Sequence, residues 1–320
     1  MNSEQVYIGV DVSKDELVIS RMGITEVQRL VNRPVEIKRW LKALPAGCWI
    51  GMEATGIYHR ALAEHAYVAG HRVYVLNPKH VAQYLKSLRQ RGKTDLLDAQ
   101  GIARFVANET DQCHPFVPPS AEQRSINSLL KRRSLLVKHR CALRQSVQDE
   151  PSLKKMTLPL LKVYRQTLAE IDAKLDALVQ RTPVLAEKRQ LLRSIPGIGP
   201  LISIAVTNRL SQTPYCNSDA VVAAYGYDPR PRESGTYQGR RKLSKQGLSE
   251  DRRLMFMAAR GARRAGLWKT ECSQWLAKGL SKTAINCIIA RKLLRVAFAV
   301  WRSNTPFDPA MIGKNTCAGT

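Results

Sequence analysis

Residues 114–122 read HPFVPPSAE, and the three prolines in nine residues divide the chain. Proline has no N–H to give a sheet or helix and holds its own φ near −65°, so such a run is extended linker. Apolar residues before it come in short runs separated by turn formers. After it they recur at helical spacing. An α/β domain over residues 1–118 and a helical remainder follow from that contrast.

In the first part, Val6–Val10 is a short apolar strand that delivers Asp11 at its end. Residues 15–22 and 26–31 can form two more strands. Pro34 can open a helix through Leu44, because proline suits a first helical turn. Cys48–Met52 is a strand ending at Glu53, IYHRALAEHAYVA has helical spacing, and HRVYVLN is a strand stopped at Asn77-Pro78. A long helical stretch follows, interrupted near Gly92 and resuming from Thr94. Strands first consecutive and then alternating with helices predict a mixed sheet with helices packed on it.

Residues 119–187 read as an antiparallel helical arm. Leu161, Tyr164, Leu168, Ile171, Leu175 and Leu178 are spaced 3, 4, 3, 4, 3, a coiled-coil seam. Ile126, Leu129, Leu136, Leu143 and Val147 keep the same register, with Arg133 and Arg140 at seam positions, and Pro151 and Pro159 separate the two stretches. Such a seam closes within one chain or between two. Residues 188–320 are a third, mainly helical domain with a basic irregular loop.

Fifty-one Lys and Arg against 26 Asp and Glu give a formal charge of +25, with pI near 10.1. That balance disfavours a small-molecule enzyme and favours a polyanion. No run approaches the ~18 apolar residues of a membrane span, and the N-terminus lacks the basic and apolar regions of a signal peptide. Seven scattered cysteines without a CxxC pair read as reduced cytosolic thiols, so the expected location is cytoplasmic.

Four carboxylates stand out by position. Asp11 and Glu53 each end an apolar strand, in YIGVDVS and WIGMEATG; Asp95 and Asp98 lie one turn apart in RGKTDLLDAQ, with Thr94 as a candidate cap. Strand-end acids meeting a helix-borne pair make an oxygen-rich pocket suited to Mg²⁺. Singly, an Asp after a strand is ordinarily a turn former and Asp95 complements a helix N-terminus.

In the last domain, SIPGIGPLISIAV resembles a helix-hairpin-helix. Gly197 and Gly199 there would let backbone N–H groups approach a phosphate, although a plain Gly-Pro turn has the same composition. Residues 230–264 then hold eleven Lys/Arg and three Asp/Glu. Arg230, Arg232, Arg240, Arg241, Lys242 and Lys245 flank Ser234, a candidate nucleophile whose attack on phosphorus those cations would assist. Ser244, Ser249 and Tyr237 are competing hydroxyls.

Taken together, YIGVDVSK, MEATGIY, NPKHV, RGKTDLLDA, LLRSIPGIGP, AAYGYDPRPRESG and SKQG resemble, in order and over nearly the whole chain, the DEDD transposases of insertion sequences. That family includes Piv-type DNA invertases and members guided by a bridge RNA. The resemblance implies a RuvC-like, RNase H-fold first domain whose Asp11, Glu53, Asp95 and Asp98 bind Mg²⁺. It further implies an oligomerisation arm and a transposase domain with Ser234 as nucleophile. It also implies a dimer assembling to a tetramer on donor and target DNA. Without a base-reading module in the sequence, specificity is compatible with a guide RNA.

Rival readings are a RuvC-like structure-specific nuclease using metal-activated water, an actin-fold kinase or ATPase, and a non-catalytic nucleic-acid-binding protein. The +25 charge and the lack of a Gly-rich adenosine loop speak against the kinase.

Overall fold

The computed structural model describes residues 5–54, 56–87, 95–110, 113–230, 233–234, 237–239 and 242–311, with backbone alone at 233, 234, 237, 238 and 311. The chain forms two compact units, Met1–Pro118 and Pro119–Thr320, divided within the proline run.

The first unit begins with three antiparallel strands, β1 (Tyr7–Val12), β2 (Glu16–Arg21) and β3 (Val27–Val31). Helix α1 (Pro34–Lys42) follows, with proline in its first turn, then β4 (Trp49–Glu53), α2 (Arg60–Val68) and β5 (Arg72–Leu76). Both β4 and β5 run parallel to β1, and the sheet order is β3-β2-β1-β4-β5. This order, antiparallel then parallel, is the RNase H-like arrangement. Helices α3 (Pro78–Ser87) and α4 (Asp95–Asn108) complete the unit; residues 88–94, with Thr94 and Gly92, lie outside the described residues.

The central strands are buried nearly end to end, so β1 reads as an apolar run, not an alternation. Ile8, Val10, Leu17, Ile50, Met52, Leu62 and Ala66 form the core on the side of α1 and α2. On the opposite side α4 lies directly on β1 and β4. Gly9 and Gly51 face each other across those strands. A Cβ on Gly9 would come within 2.2 Å of the Ala103 nitrogen and the Ala99 oxygen, and one on Gly51 within 2.1 Å of a Val106 methyl. The two glycines form a flat seat without which α4 could not approach.

The second unit opens with α5 (Ala121–Ser146) and α6 (Pro151–Gln180), an antiparallel hairpin. Ser120 and Gln123 make a reciprocal capping box at the start of α5. Pro151 opens α6. Pro159 does not separate helices as expected but lies inside α6. An interior proline costs ~3 kcal/mol or more through its missing N–H and its clash with the preceding turn. The seam that follows it, with Leu168 and Leu175 buried, offsets that cost. Arg133, at a seam position, is held by Asp172 of α6 through a two-pronged ion pair at 2.5 and 2.9 Å. Ile126 and Leu175 also pack with Leu185 and Ile204 of the next helices, so the base of the hairpin joins the core of this unit. Leu175→Ala should destabilise it by about 2–5 kcal/mol, read as a lower midpoint in urea.

Helices α7 (Pro183–Arg193), α8 (Pro200–Gln212) and α9 (Ser218–Ala224) follow. Then come four two-residue strands, β6 (Pro229–Arg230), β7 (Glu233–Ser234), β8 (Tyr237–Gln238) and β9 (Lys242–Leu243). Helices α10 (Ser249–Arg264), α11 (Lys269–Ala277) and α12 (Lys282–Ser303) close the unit. Ile285, Ile289, Leu293 and Ala297 of α12 recur every four residues and are buried against α7, α9 and α10. No helix among the described residues is long and apolar enough to cross a membrane.

Candidate active site

Period two along a strand puts residues i and i+2 on one face. Asp11 stands two residues after Gly9, and Glu53 two after Gly51, so both acids face the side on which α4 sits. Val10 pairs with Met52, and Asp11 and Glu53 are the next residues along these parallel strands. Helix α4 covers Gly9 with Ala99 and Ala103. One turn earlier on the same helix comes Asp95, with Asp98 beside it in the first turn. The seat that admits α4 thus brings its acidic N-terminus over the strand-end acids.

The electrostatics agree. Burial pushes the Asp11 carboxyl up from 3.8 to about 6, and the charges of Asp95, Asp98 and Glu53 push in the same direction; the N–H of Val12 opposes them. Crowded carboxylates are the donor set that a hard divalent cation neutralises. Even so, among the described residues no three His, Cys, Asp or Glu side chains converge closely enough to hold an ion by themselves. An ion here would need water or substrate oxygens to complete its shell.

Ser234 lies in the second unit, on a ribbon. β6 pairs with β9 at its base, and β7 pairs with β8 beyond, with Ser234 opposite Tyr237. The base is clasped by two glycine segments. Gly226 has φ +69°, and a Cβ on Gly247 would come within 2.2 Å of the Ala224 oxygen. The Lys245 N–H donates to the Gly226 oxygen (3.2 Å) and the Ser244 N–H to the Asp228 oxygen (2.9 Å). Arg252 of α10 donates to the carbonyls of Lys245 (3.1 Å) and Gly247. The Tyr227 hydroxyl donates to the Arg252 carbonyl at 2.8 Å. Ser244, a competing hydroxyl in the sequence, donates to the Asp228 carboxylate.

Of the basic residues around Ser234, Arg230 and Lys242 are exposed and directly opposed across β6 and β9. Like charges in register repel, an arrangement suited to a polyanion. Lys245 is exposed with φ 55°, a left-handed conformation unusual for a side-chain-bearing residue. Lys245→Gly should therefore raise stability by about 1 kcal/mol, read by thermal melting. Arg232, Arg240 and Arg241 lie outside the described residues.

The turn Ser194–Gly199 joins α7 to α8, with Ile195 and Ile198 buried. Its two glycines differ. Gly197, at φ +94°, is pressed on α10, where a Cβ would come within 2.3 Å of the Ala258 oxygen; beside Gly199 the space is open.

The seat of Gly9 and Gly51 and the clasp of Gly226, Gly247 and Arg252 were not singled out from the sequence. Their signals are present: G-x-D and G-x-E at the ends of two apolar strands, and glycines on both sides of the serine loop.

Comparison with known proteins extends over both units. A transposase model of the IS110 DEDD type matches residues 8–149, and the model described as Transposase IS116/IS110/IS902 family matches residues 189–272. The Pilin gene-inverting protein of Moraxella bovis is 29% identical over 325 residues, covering 95% of this chain and 98% of that protein. The Transposase for insertion sequence element IS1328 of Yersinia enterocolitica is 25% identical, over 94% of this chain and 98% of its own length. A solved structure of T. thermophilus RuvC in complex with Holliday junction substrate matches 35% of this chain and 100% of its own at 16% identity, with a TM-score of 0.28. With two transposase models matched in succession and relatives aligned almost end to end, the chain is a DNA transposase or recombinase of an insertion-sequence family.

Proposed function

We propose that this recombinase cuts and rejoins DNA through a phosphoserine linkage on Ser234, with Asp11, Glu53, Asp95 and Asp98 as the acidic half of the site. The observation that carries the reading is the partly buried Asp11 carboxyl, lifted to about 6 by burial first and then by the charges of Asp95, Asp98 and Glu53. Magnesium held by these acids, with water or phosphate oxygens completing its shell, would supply Lewis-acid charge at the scissile phosphate.

The chain's own residues do the rest. Ser234 Oγ bonds to phosphorus, one phosphoester bond breaks, and the leaving sugar oxygen takes up a proton as the serine loses its own. One ester replaces another, so a second DNA end can attack and restore the strand. The opposed cations Arg230 and Lys242 hold the phosphate backbone beside the serine. Since Asp11 and Ser234 belong to different units, the reading requires a composite site, formed within one chain or between two. Assembly then gates cleavage.

The same reading includes a guide RNA that selects the site and a dimer that assembles to a tetramer on donor and target DNA. Exposed Leu153, Met156, Leu160 and Val163, spaced 3, 4, 3 on α6, support self-association with a second copy. Met156→Lys with Leu160→Lys should give a monomer by light scattering, while the thermal midpoint stays within a few degrees.

Protein, Mg²⁺, labelled junction DNA and RNA transcribed from the element's flanking region, resolved on a denaturing gel, test the chemistry. An adduct with the wild type, absent with Ser234→Ala and Asp11→Ala, is expected. Cleavage without an adduct, undiminished by Ser234→Ala, would leave metal-activated water as the nucleophile.

A further inference from the structure

Away from the acidic quartet and the serine ribbon, the second unit holds a pocket of about 320 Å³ lined by arginines from two helices. Arg133 and Arg140 of α5 and Arg253 of α10 line it, with Val137, Leu254 and Met257 supplying apolar wall. Its remaining wall is the start of α8, Gly199 to Ile202.

The charges are not evenly spent. Asp172 holds Arg133, and Glu250 holds Arg253 at 2.7 and 2.8 Å. Arg140 is half-buried and has no carboxylate partner among the described residues. The helix end is also unspent. Gly199 caps α8 without a side chain to accept from it, and Pro200 has no N–H. The N–H groups of Leu201 and Ile202, in the first turn, therefore have no intrahelical acceptor, and none among the described residues serves them. The space where a capping side chain would stand, beside Gly199, is open.

We infer that this pocket binds a backbone phosphate of a nucleic-acid strand, with Arg140 and the first-turn N–H groups of α8 as its donors and the apolar wall against the adjoining sugar. A free guanidinium beside uncapped helical N–H groups is anion chemistry. A phosphodiester, unlike a small free anion, also has an apolar neighbour to set against Val137, Leu254 and Met257. The pocket reads no base, so it anchors a strand without selecting its sequence. The Gly-x-Gly turn then has divided duties. Gly197 lets α8 pack on α10, and Gly199 leaves room for the ligand.

The inference rests on the reading of the chain as a handler of nucleic acid, but not on Ser234. It is tested without Mg²⁺, where no strand is cut. Anisotropy of a short labelled single strand, as DNA and as RNA, would be followed over a range of salt with the full-length protein. Two variants bear on it. Arg140→Ala removes the free cation. Gly199→Asp, at an extended cap position with open space, sets a carboxylate where the phosphate would sit.

Both variants should bind several-fold more weakly, and Arg140→Ala should flatten the slope of log K against log salt by about 0.7, the mark of one lost phosphate. Gly199→Asp should at the same time melt no lower than the wild type, because aspartate is a better cap than glycine. A loss confined to the DNA or the RNA arm supports the site and identifies which strand occupies it. Wild-type binding by both variants in both arms overturns it. So does weaker binding by Arg140→Ala alone, since the phosphate would then not lie at the helix end. Should Ser234 prove not to form an adduct while these losses appear, the chemistry falls and the pocket stands.

Discussion

Gly9→Ala should cost the first unit its native sheet-on-helix packing. The added methyl would lie 2.2 Å from two backbone atoms of α4, and backbone cannot swing aside as a side-chain end can. Overpacking of this kind costs about 1–3 kcal/mol where neighbours yield, and more is expected here. Gly51→Ala meets a Val106 methyl at 2.1 Å, and Gly101→Ala meets a Leu85 methyl at 1.9 Å. Both obstacles are mobile, so these variants should be milder. Hydrogen exchange in β1 and β4 of the full-length protein measures the order. Wild-type protection in the Gly9 variant would contradict the seat as the device that brings Asp95 and Asp98 to Asp11.

Asp11→Asn should separate stability from activity. In the native protein the Asp11 carboxyl titrates near 6 instead of 3.8, so the folded state holds this proton more tightly than the unfolded one. The contribution is full below pH 4 and is lost as pH rises through 6. Wild-type protein in EDTA should lose stability over that interval relative to the asparagine variant, which has no such proton. Discounted for partial exposure, the difference is worth about 1 kcal/mol at neutral pH, a few degrees in the midpoint. The variant should melt higher than the wild type and make no adduct. Added Mg²⁺ should raise the wild-type midpoint and leave the variant nearly unmoved. A variant that melts lower in EDTA at neutral pH would mean that Asp11 supports the fold instead of straining it.

Much of this architecture was legible because its signals are local. Pro34 announces a helix start, Pro151 a break between two helical stretches, the proline run at 114–119 the division between units, and apolar runs announce β1 and β4. Of the candidate acids, Asp11 and Glu53 stand out because they follow those runs, and Asp95 and Asp98 because they lie one helical turn apart. Features made by close approach of distant backbone were not legible. A glycine in an apolar strand reads as a weak point until the helix it admits is seen, and Gly226 with Gly247 reads as two loops until one proves to lie against the other. Pro159 misled for a related reason: its local cost is real, but buried residues such as Leu168 and Leu175 outweigh it. The two uses of Gly197 and Gly199 could not be told apart in sequence, since only the position of α10 distinguishes them.

The central claim is that a protein oxygen, not water, attacks the phosphate. Strand exchange in H₂¹⁸O, with mass spectrometry of the rejoined strands, reads that oxygen directly. The account predicts rejoined strands free of solvent oxygen, and no product of any kind from Ser234→Ala. One ¹⁸O in the phosphate of the first-turnover product, with undiminished yield from Ser234→Ala, would contradict it.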